Sequence, residues 1–176
     1  LRQAFVDSRQ QHNIKLAYTR ALVESLRLEE AATVLDGVRM ADRDAGYERL
    51  RAHTLESALR NALRDGLLRL HYQPIVRVAD NAIVGAEALL RWNDAEHGNV
   101  SPKVFIALAE ESGLIHELGE WVLRTAAAQC VAWRRAGQML TVSINLSGRQ
   151  FYRDDIAQRI SDIVRGAGCE PSWLEL

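Results

Sequence analysis

The pattern of apolar residues predicts an α/β fold, with an α-helical segment in front of it. Three observations carry this. Ahead of Gly66 there are only two glycines, Gly37 and Gly46, and no proline, and apolar residues fall at helical intervals. Beyond Gly66, short apolar runs of strand type alternate with longer runs of helical period, the order expected of βαβ units. Finally, 48% hydrophobic and 26% charged residues in a chain of 176 are the composition of a globular domain able to bury a core.

The same composition excludes several function classes. With 22 Lys and Arg against 23 Asp and Glu, the net charge is -1, so the basic footprint of a nucleic-acid polymer binder is missing. No apolar run reaches the ~18 residues of a membrane span. Cys130 and Cys169 are too few for a disulfide framework and lack metal-type spacing, which points to a reducing, cytoplasmic setting.

In chain order, Leu16, Ala17, Leu22, Val23 and Leu26, then Ala31, Val34 and Leu35, mark amphipathic helix. A further helix is expected over 47–64, with Leu50, Leu55, Leu59 and Leu63 on adjoining turns and Gly66 as its stop. Leu68, Leu70 and Tyr72 alternate with Arg69, His71 and Gln73, a half-buried strand that Pro74 is expected to end. Residues 83–90 are almost continuously apolar, broken by Glu87, as in a buried strand. Ser101-Pro102 supplies an N-cap and first-turn proline for a helix that Gly113 closes. Leu118, Trp121, Val122, Thr125, Ala126 and Trp133 mark a longer helix ending at Gly137. Leu140, Val142, Ile144 and Leu146 form a second short strand, and Ile156, Ile160, Ile163 and Val164 a helix starting at Asp154-Asp155 and ending at Gly168. A new strand begins at Trp173 or Leu174. Periodicity leaves two architectures open: a small open parallel sheet, or part of a (β/α)8 barrel, which takes about 250 residues when whole.

Few side chains stand out chemically. Glu87 is a carboxylate inside an apolar strand, costly to bury unless paired or bound to a metal. Arg91, four residues on, shares its face, so a structural ion pair, or a place at a strand end facing solvent, accounts for Glu87 as well as a metal does. Asn145 ends a strand and precedes Ser147, Gly148 and Arg149; it either belongs to a site at the strands' C-terminal ends or bonds its own turn. Together Glu87 and Asn145 offer hard oxygen ligands, suited to Mg²⁺ or Mn²⁺ rather than zinc. Gln73 is a third polar residue at a strand end. His12, His53, His71, His97 and His116 read as surface or turn residues, Glu110 and Glu111 as helix surface, and Trp121 and Trp133 as core. No glycine-rich phosphate loop, Ser-His-Asp set or zinc signature is present.

From about Leu55 onward a series of strings resembles the EAL-domain family of bacterial cyclic di-GMP phosphodiesterases. They are Leu70-His71-Tyr72-Gln73-Pro74-Ile75 and Gly85-Ala86-Glu87-Ala88-Leu89-Leu90-Arg91-Trp92, then Val100-Ser101-Pro102 with Phe105-Ile106. Ala109-Glu110-Glu111-Ser112-Gly113-Leu114-Ile115, Leu118-Gly119-Glu120-Trp121-Val122-Leu123, Asn145-Leu146-Ser147 and Arg149-Gln150-Phe151 follow in the family's order. Trp92-Asn93-Asp94-Ala95 departs from it, the family usually having His-Pro in the last two places.

The resemblance implies a TIM-like (β/α)8 barrel with one reversed strand, present here as its N-terminal half, and one or two Mg²⁺ or Mn²⁺ ions at the strands' C-terminal ends. By match, Glu87 and Asn145 would be metal ligands and catalytic, Arg91 would meet a phosphate of cyclic di-GMP, and Gln73 and Leu89 would line its pocket. A bridging water would open the ring to linear pGpG. A further metal-binding Glu is implied at the position after Leu176. The chain opens on Leu1 rather than Met and reads as a fragment, expected to be inactive alone. Residues 53–176 are thus assigned to the domain and 1–52 to a helical linker, signalling or dimerisation segment, with a homodimer expected. Met40-Ala41-Asp42-Arg43-Asp44-Ala45-Gly46-Tyr47 faintly resembles the closing helix of a diguanylate cyclase (GGDEF) domain, so an upstream cyclase or sensor domain is a further expectation. The alternative from another class is a non-catalytic scaffold that binds cyclic di-GMP or a protein partner.

Overall fold

A computed structural model of the chain describes residues 2–24, 27–37 and 45–176. Three helices come first: α1 (Arg2–Glu24), α2 (Leu28–Asp36) and α3 (Ala45–Arg64). They pack on one another, and the expected stripe is buried at Leu22, Ala31 and Leu35, with Leu35 and Tyr47 walled in by Leu16 and Leu50. His12, expected on the surface, is instead buried on α1. Leu26 and the stretch Met40 to Asp44, which carries most of the resemblance to a cyclase helix, lie outside the described residues. The boundary drawn between residues 52 and 53 falls within the unbroken α3. Tyr47 and Leu50 on this helix pack toward α1 and α2, whereas Leu55, Leu59 and Ala62 enter the main core.

The sheet follows, with strands β1 (Leu68–Arg77), β2 (Ala82–Asp94), β3 (Gly98–Val100), β4 (Thr141–Ile144) and β5 (Leu174–Glu175). Its order is β1-β2-β4-β5, with β3 also paired to β2. Between β3 and β4 lie α4 (Pro102–Ser112) and α5 (Ile115–Arg135), and between β4 and β5 lies α6 (Ile156–Gly166). These crossovers make β2, β4 and β5 parallel. β1, however, runs antiparallel to β2. Only residues 78–81 separate the two strands, too few for a parallel crossover. Arg77 and Asp80 close the turn with two bonds of 2.9 Å. The alternating pattern alone gave parallel units throughout; the reversed strand agrees with the resemblance.

Pro74 does not end β1, which continues to Arg77. A proline lacks the N–H of the ladder, and β1 tolerates it because it is the edge strand of this sheet. The ladder also shifts register between Ile75 and Val76, a bulge beside the proline.

Helices cover one face of the sheet. Leu68, Trp92, Phe105, Ala109 and Leu118 join Leu55 and Leu59 of α3 in one core cluster, where Trp92 and Phe105 meet edge to face at 5.8 Å. Ala88, Val122, Ala126, Val142, Ile144 and Val164 form the second, between the parallel strands, α5 and α6. Trp121 and Trp133 pack against this core, as expected. Because strand side chains alternate, the residues between these point to the opposite face, and that face carries the polar side chains.

Candidate functional site at the parallel strand ends

On β2, Ala86, Ala88, Leu90 and Trp92 supply the packed face, so Glu87, Leu89 and Arg91 share the other. Glu87 is not deeply buried: its side chain lies on the uncovered face and is only half-buried, nearer the solvent-facing alternative. The alternative ion pair does not form either. Arg91 donates from Nη1 to the Leu90 carbonyl at 2.9 Å, while Glu87 Oε1 accepts from Asn145 Nδ2 at 2.8 Å. That bond spans 58 residues and joins β2 to the segment that follows β4. It is possible because Glu87 lies level with Ser143 in the parallel register, two residues before Asn145.

Close approach of the two strands depends on Gly85. A Cβ there would sit 2.7 Å from the Thr141 carbonyl oxygen, its partner in the ladder. Gln73 pairs with Glu87 in the antiparallel ladder and His71 with Leu89, so Gln73 stands beside Glu87 on the same face.

β5 adds a residue that sequence reasoning passed over. Leu174 packs against the core and Glu175 therefore faces the polar side, level with Ser143, whose Oγ donates to Glu175 Oε2 at 2.8 Å. Glu87, Ser143, Asn145 and Glu175, with Ile75, line a cavity of about 250 Å³. The signal for Glu175 was the alternation Leu174-Glu175, but two residues are too short a run to fix a period.

A second cavity of about 330 Å³ opens beside the first, and Asn145 lines both. Leu89, Arg91, Ile106, Glu110 and Ser147 contribute to it. Glu110 is thus not plain helix surface: it accepts from Ser147 Oγ at 2.5 Å, whereas Glu111 is exposed as expected. Ser147 also opens a short 3-10 turn, Gly148–Tyr152, through a capping box. Its Oγ accepts from Arg149 N at 3.2 Å, and its own N–H donates to Gln150 Oε1 at 2.9 Å.

Among the described residues, no three His, Cys, Asp or Glu side chains cluster together. The donors in the smaller cavity are two carboxylates, an amide and a hydroxyl, all hard oxygen donors of the type that Mg²⁺ or Mn²⁺ takes, with neither thiolate nor imidazole for zinc. Of the residues singled out in the sequence, Glu87 and Asn145 are in hydrogen-bond contact, Leu89 and Arg91 line the adjoining cavity, and Gln73 flanks Glu87 outside both.

A helix-covered sheet with its polar side chains gathered near the C-terminal ends of parallel strands is the anatomy of an α/β barrel site. The EAL domain family matches residues 56–176, and the chain belongs to that family. An uncharacterised signalling protein of Caulobacter vibrioides is 41% identical over 118 residues, 67% of this chain and 14% of its own length. A protein of Pseudomonas aeruginosa named as the bifunctional diguanylate cyclase/cyclic di-GMP phosphodiesterase MucR is 40% identical over 119 residues, 67% of this chain and 17% of its own. Among solved structures, a MucR phosphodiesterase in complex with c-di-GMP aligns with a TM-score of 0.65 at 39% identity, covering 68% of this chain and 49% of that one. The FimX EAL domain of Xanthomonas citri with c-diGMP aligns at 0.62 and 27% identity, over 72% of this chain and 49% of that one. The chain thus spans about half of these solved domains, and its fold is a partial barrel of their type. Among the described residues, no helix is long and apolar enough to cross a membrane.

Proposed function

We propose that this chain contributes the N-terminal half of a metal-dependent phosphodiesterase site that hydrolyses cyclic di-GMP to linear pGpG. The single observation that carries the reading is the convergence of Glu87, Asn145 and Glu175 on one cavity at the ends of adjacent parallel strands. These three would hold a divalent cation, Mg²⁺ or Mn²⁺, through carboxylate oxygens and the Asn145 Oδ1. Such an ion would supply Lewis-acid polarisation of a phosphoryl oxygen and a water of lowered pKa.

The chain's own residues do the rest. The hydrogen bond from Asn145 Nδ2 to Glu87 Oε1 ties the amide to the carboxylate and fixes its plane. Arg91, anchored by one Nη1 to Leu90 and unpaired with any carboxylate among the described residues, is available to a phosphate of the dinucleotide. Leu89 and Ile106 give that cavity an apolar wall against which a base can lie. Gln73, beside Glu87, would border the nucleotide. Two buried free thiols, Cys130 and Cys169, suit a cytoplasmic domain. The helices ahead of the domain would join it to an upstream sensor or cyclase domain, or to a second copy.

The test is product analysis on the full protein with Mg²⁺ or Mn²⁺: pGpG is expected, and Glu87→Gln is expected to lower its formation at least ~100-fold, a loss on the scale of one transition-state electrostatic contact. Turnover unchanged by Glu87→Gln would refute the assignment. A second reading is nucleotide binding without turnover, which needs only Arg91 and the apolar wall of Leu89 and Ile106 in the adjoining cavity. Calorimetry separates the two readings: tight binding of cyclic di-GMP with no pGpG formed would establish the scaffold.

A further inference from the structure

Asn145 lies beyond the end of β4, so no ladder bond of the sheet holds it. The segment is secured instead by contacts two to five residues later. Ser147 Oγ donates to Glu110 Oε1 at 2.5 Å, and Arg149 Nη1 donates to the Glu110 backbone carbonyl at 2.7 Å. Gln150, buried, bonds the Ser147 N–H and lies so close to Gly119 of α5 that a Cβ there would sit 2.0 Å from its Nε2. Glu110 thereby grips the turn through both its side chain and its backbone, from α4 and across 37 residues of sequence. Its carboxylate also borders the cavity that Asn145 and Arg91 line.

A carboxylate accepting from a hydroxyl at this distance is a short, charge-assisted bond, stronger than a neutral one. Its partner is two residues from Asn145, close enough to fix the direction in which the amide leaves the strand. We propose that Glu110 is a positioning residue: acting through Ser147, it holds Asn145 with Oδ1 presented to the divalent cation of the site. This rests on the metal-site reading given above. A staple that served only stability would lower the melting temperature on removal and leave cation affinity alone. A positioning residue lowers affinity, because outer-shell partners of a ligand typically contribute about 10–100-fold to metal binding.

The experiment measures Mn²⁺ affinity in the full protein from the electron paramagnetic resonance signal of free Mn²⁺. Asn145→Ala, Ser147→Ala and Glu110→Leu are each expected to weaken binding by roughly tenfold or more. Glu110→Gln, which can still accept from Ser147, recovers most of the affinity. The Glu110→Leu/Ser147→Ala double variant binds no more weakly than either single one, since both remove the same contact. If Glu110→Leu fails to fold, Ser147→Ala and Glu110→Gln decide the matter. Loss of affinity in Asn145→Ala with none in Ser147→Ala or Glu110→Leu overturns the role of Glu110 and leaves the metal site standing. No loss in Asn145→Ala overturns both.

Discussion

Gly85→Ala tests the spacing of the two strands that carry Glu87 and Asn145. The added Cβ would meet the Thr141 carbonyl oxygen at 2.7 Å and the Thr141 carbonyl carbon at 3.6 Å, both of them backbone atoms. A flexible side chain could turn away, but here β4 itself must retreat from β2 by several tenths of an ångström. Overpacking that displaces backbone costs about 1–3 kcal/mol. Against this, replacing a glycine restricts the unfolded chain and contributes about 0.4–1 kcal/mol of stability where the native conformation allows it. The clash is the larger effect, so a net loss of up to about 2.6 kcal/mol is expected. At about 2–4 °C per kcal/mol for a domain of 150–250 residues, the midpoint of the transition that unfolds this domain falls by up to ~10 °C. Gly166→Ala is the control: it lies at the end of α6 with nothing within 4 Å of the added Cβ, so helix propensity alone acts and the midpoint rises. Thermal denaturation of the full protein by circular dichroism reads both. A Gly85→Ala variant as stable as its parent, alongside a stabilised Gly166→Ala, would refute the strand-approach argument.

Gly119→Ala is expected to destabilise the protein although it lies inside α5, where propensity alone favours alanine, because its Cβ displaces Gln150 from the capping box; equal or raised stability in urea unfolding would contradict this. Arg91→Ala is expected to weaken cyclic di-GMP binding by ~10–150-fold, the equivalent of one charged hydrogen bond, with calorimetry as the measurement. Burial pushes the Tyr72 hydroxyl up to about 12 from 10.0, with Cys130 adding to the shift, so the folded state resists ionisation. Its contribution to stability is therefore complete below pH 10 and lost as pH rises from there through about 12. Tyr72→Phe is expected to flatten that alkaline decline without loss at neutral pH, since the hydroxyl has no hydrogen-bond partner among the described residues; a Tm of Tyr72→Phe well below the parent's at pH 7 would count against it.

Much of the fold can be read from local pattern. Leu68, Leu70 and Tyr72 announce a strand with one buried face, and the helix from Pro102 to Ser112 begins and ends where Ser101 and Gly113 place it. Pattern did not settle the direction of β1, because alternation is the same in parallel and antiparallel ladders; the short turn at residues 78–81 decides it. Pro74 misled for a related reason: whether a proline ends a strand depends on whether its N–H side faces a neighbour, and only the sheet order says that.

The site divides in the same way. Glu87 was visible as a polar interruption inside an apolar run, and Asn145 as a polar residue at the end of one. That they touch was not, since their bond crosses 58 residues. Glu175 escaped notice because β5 is two residues long, and Glu110 because its partner Ser147 is 37 residues away. By itself the sequence determined the periods, the stops and the residue types, all of which arise from interactions within a few positions. Tertiary structure alone decided which polar residues meet, because parallel register and helix packing bring together atoms that the chain keeps far apart.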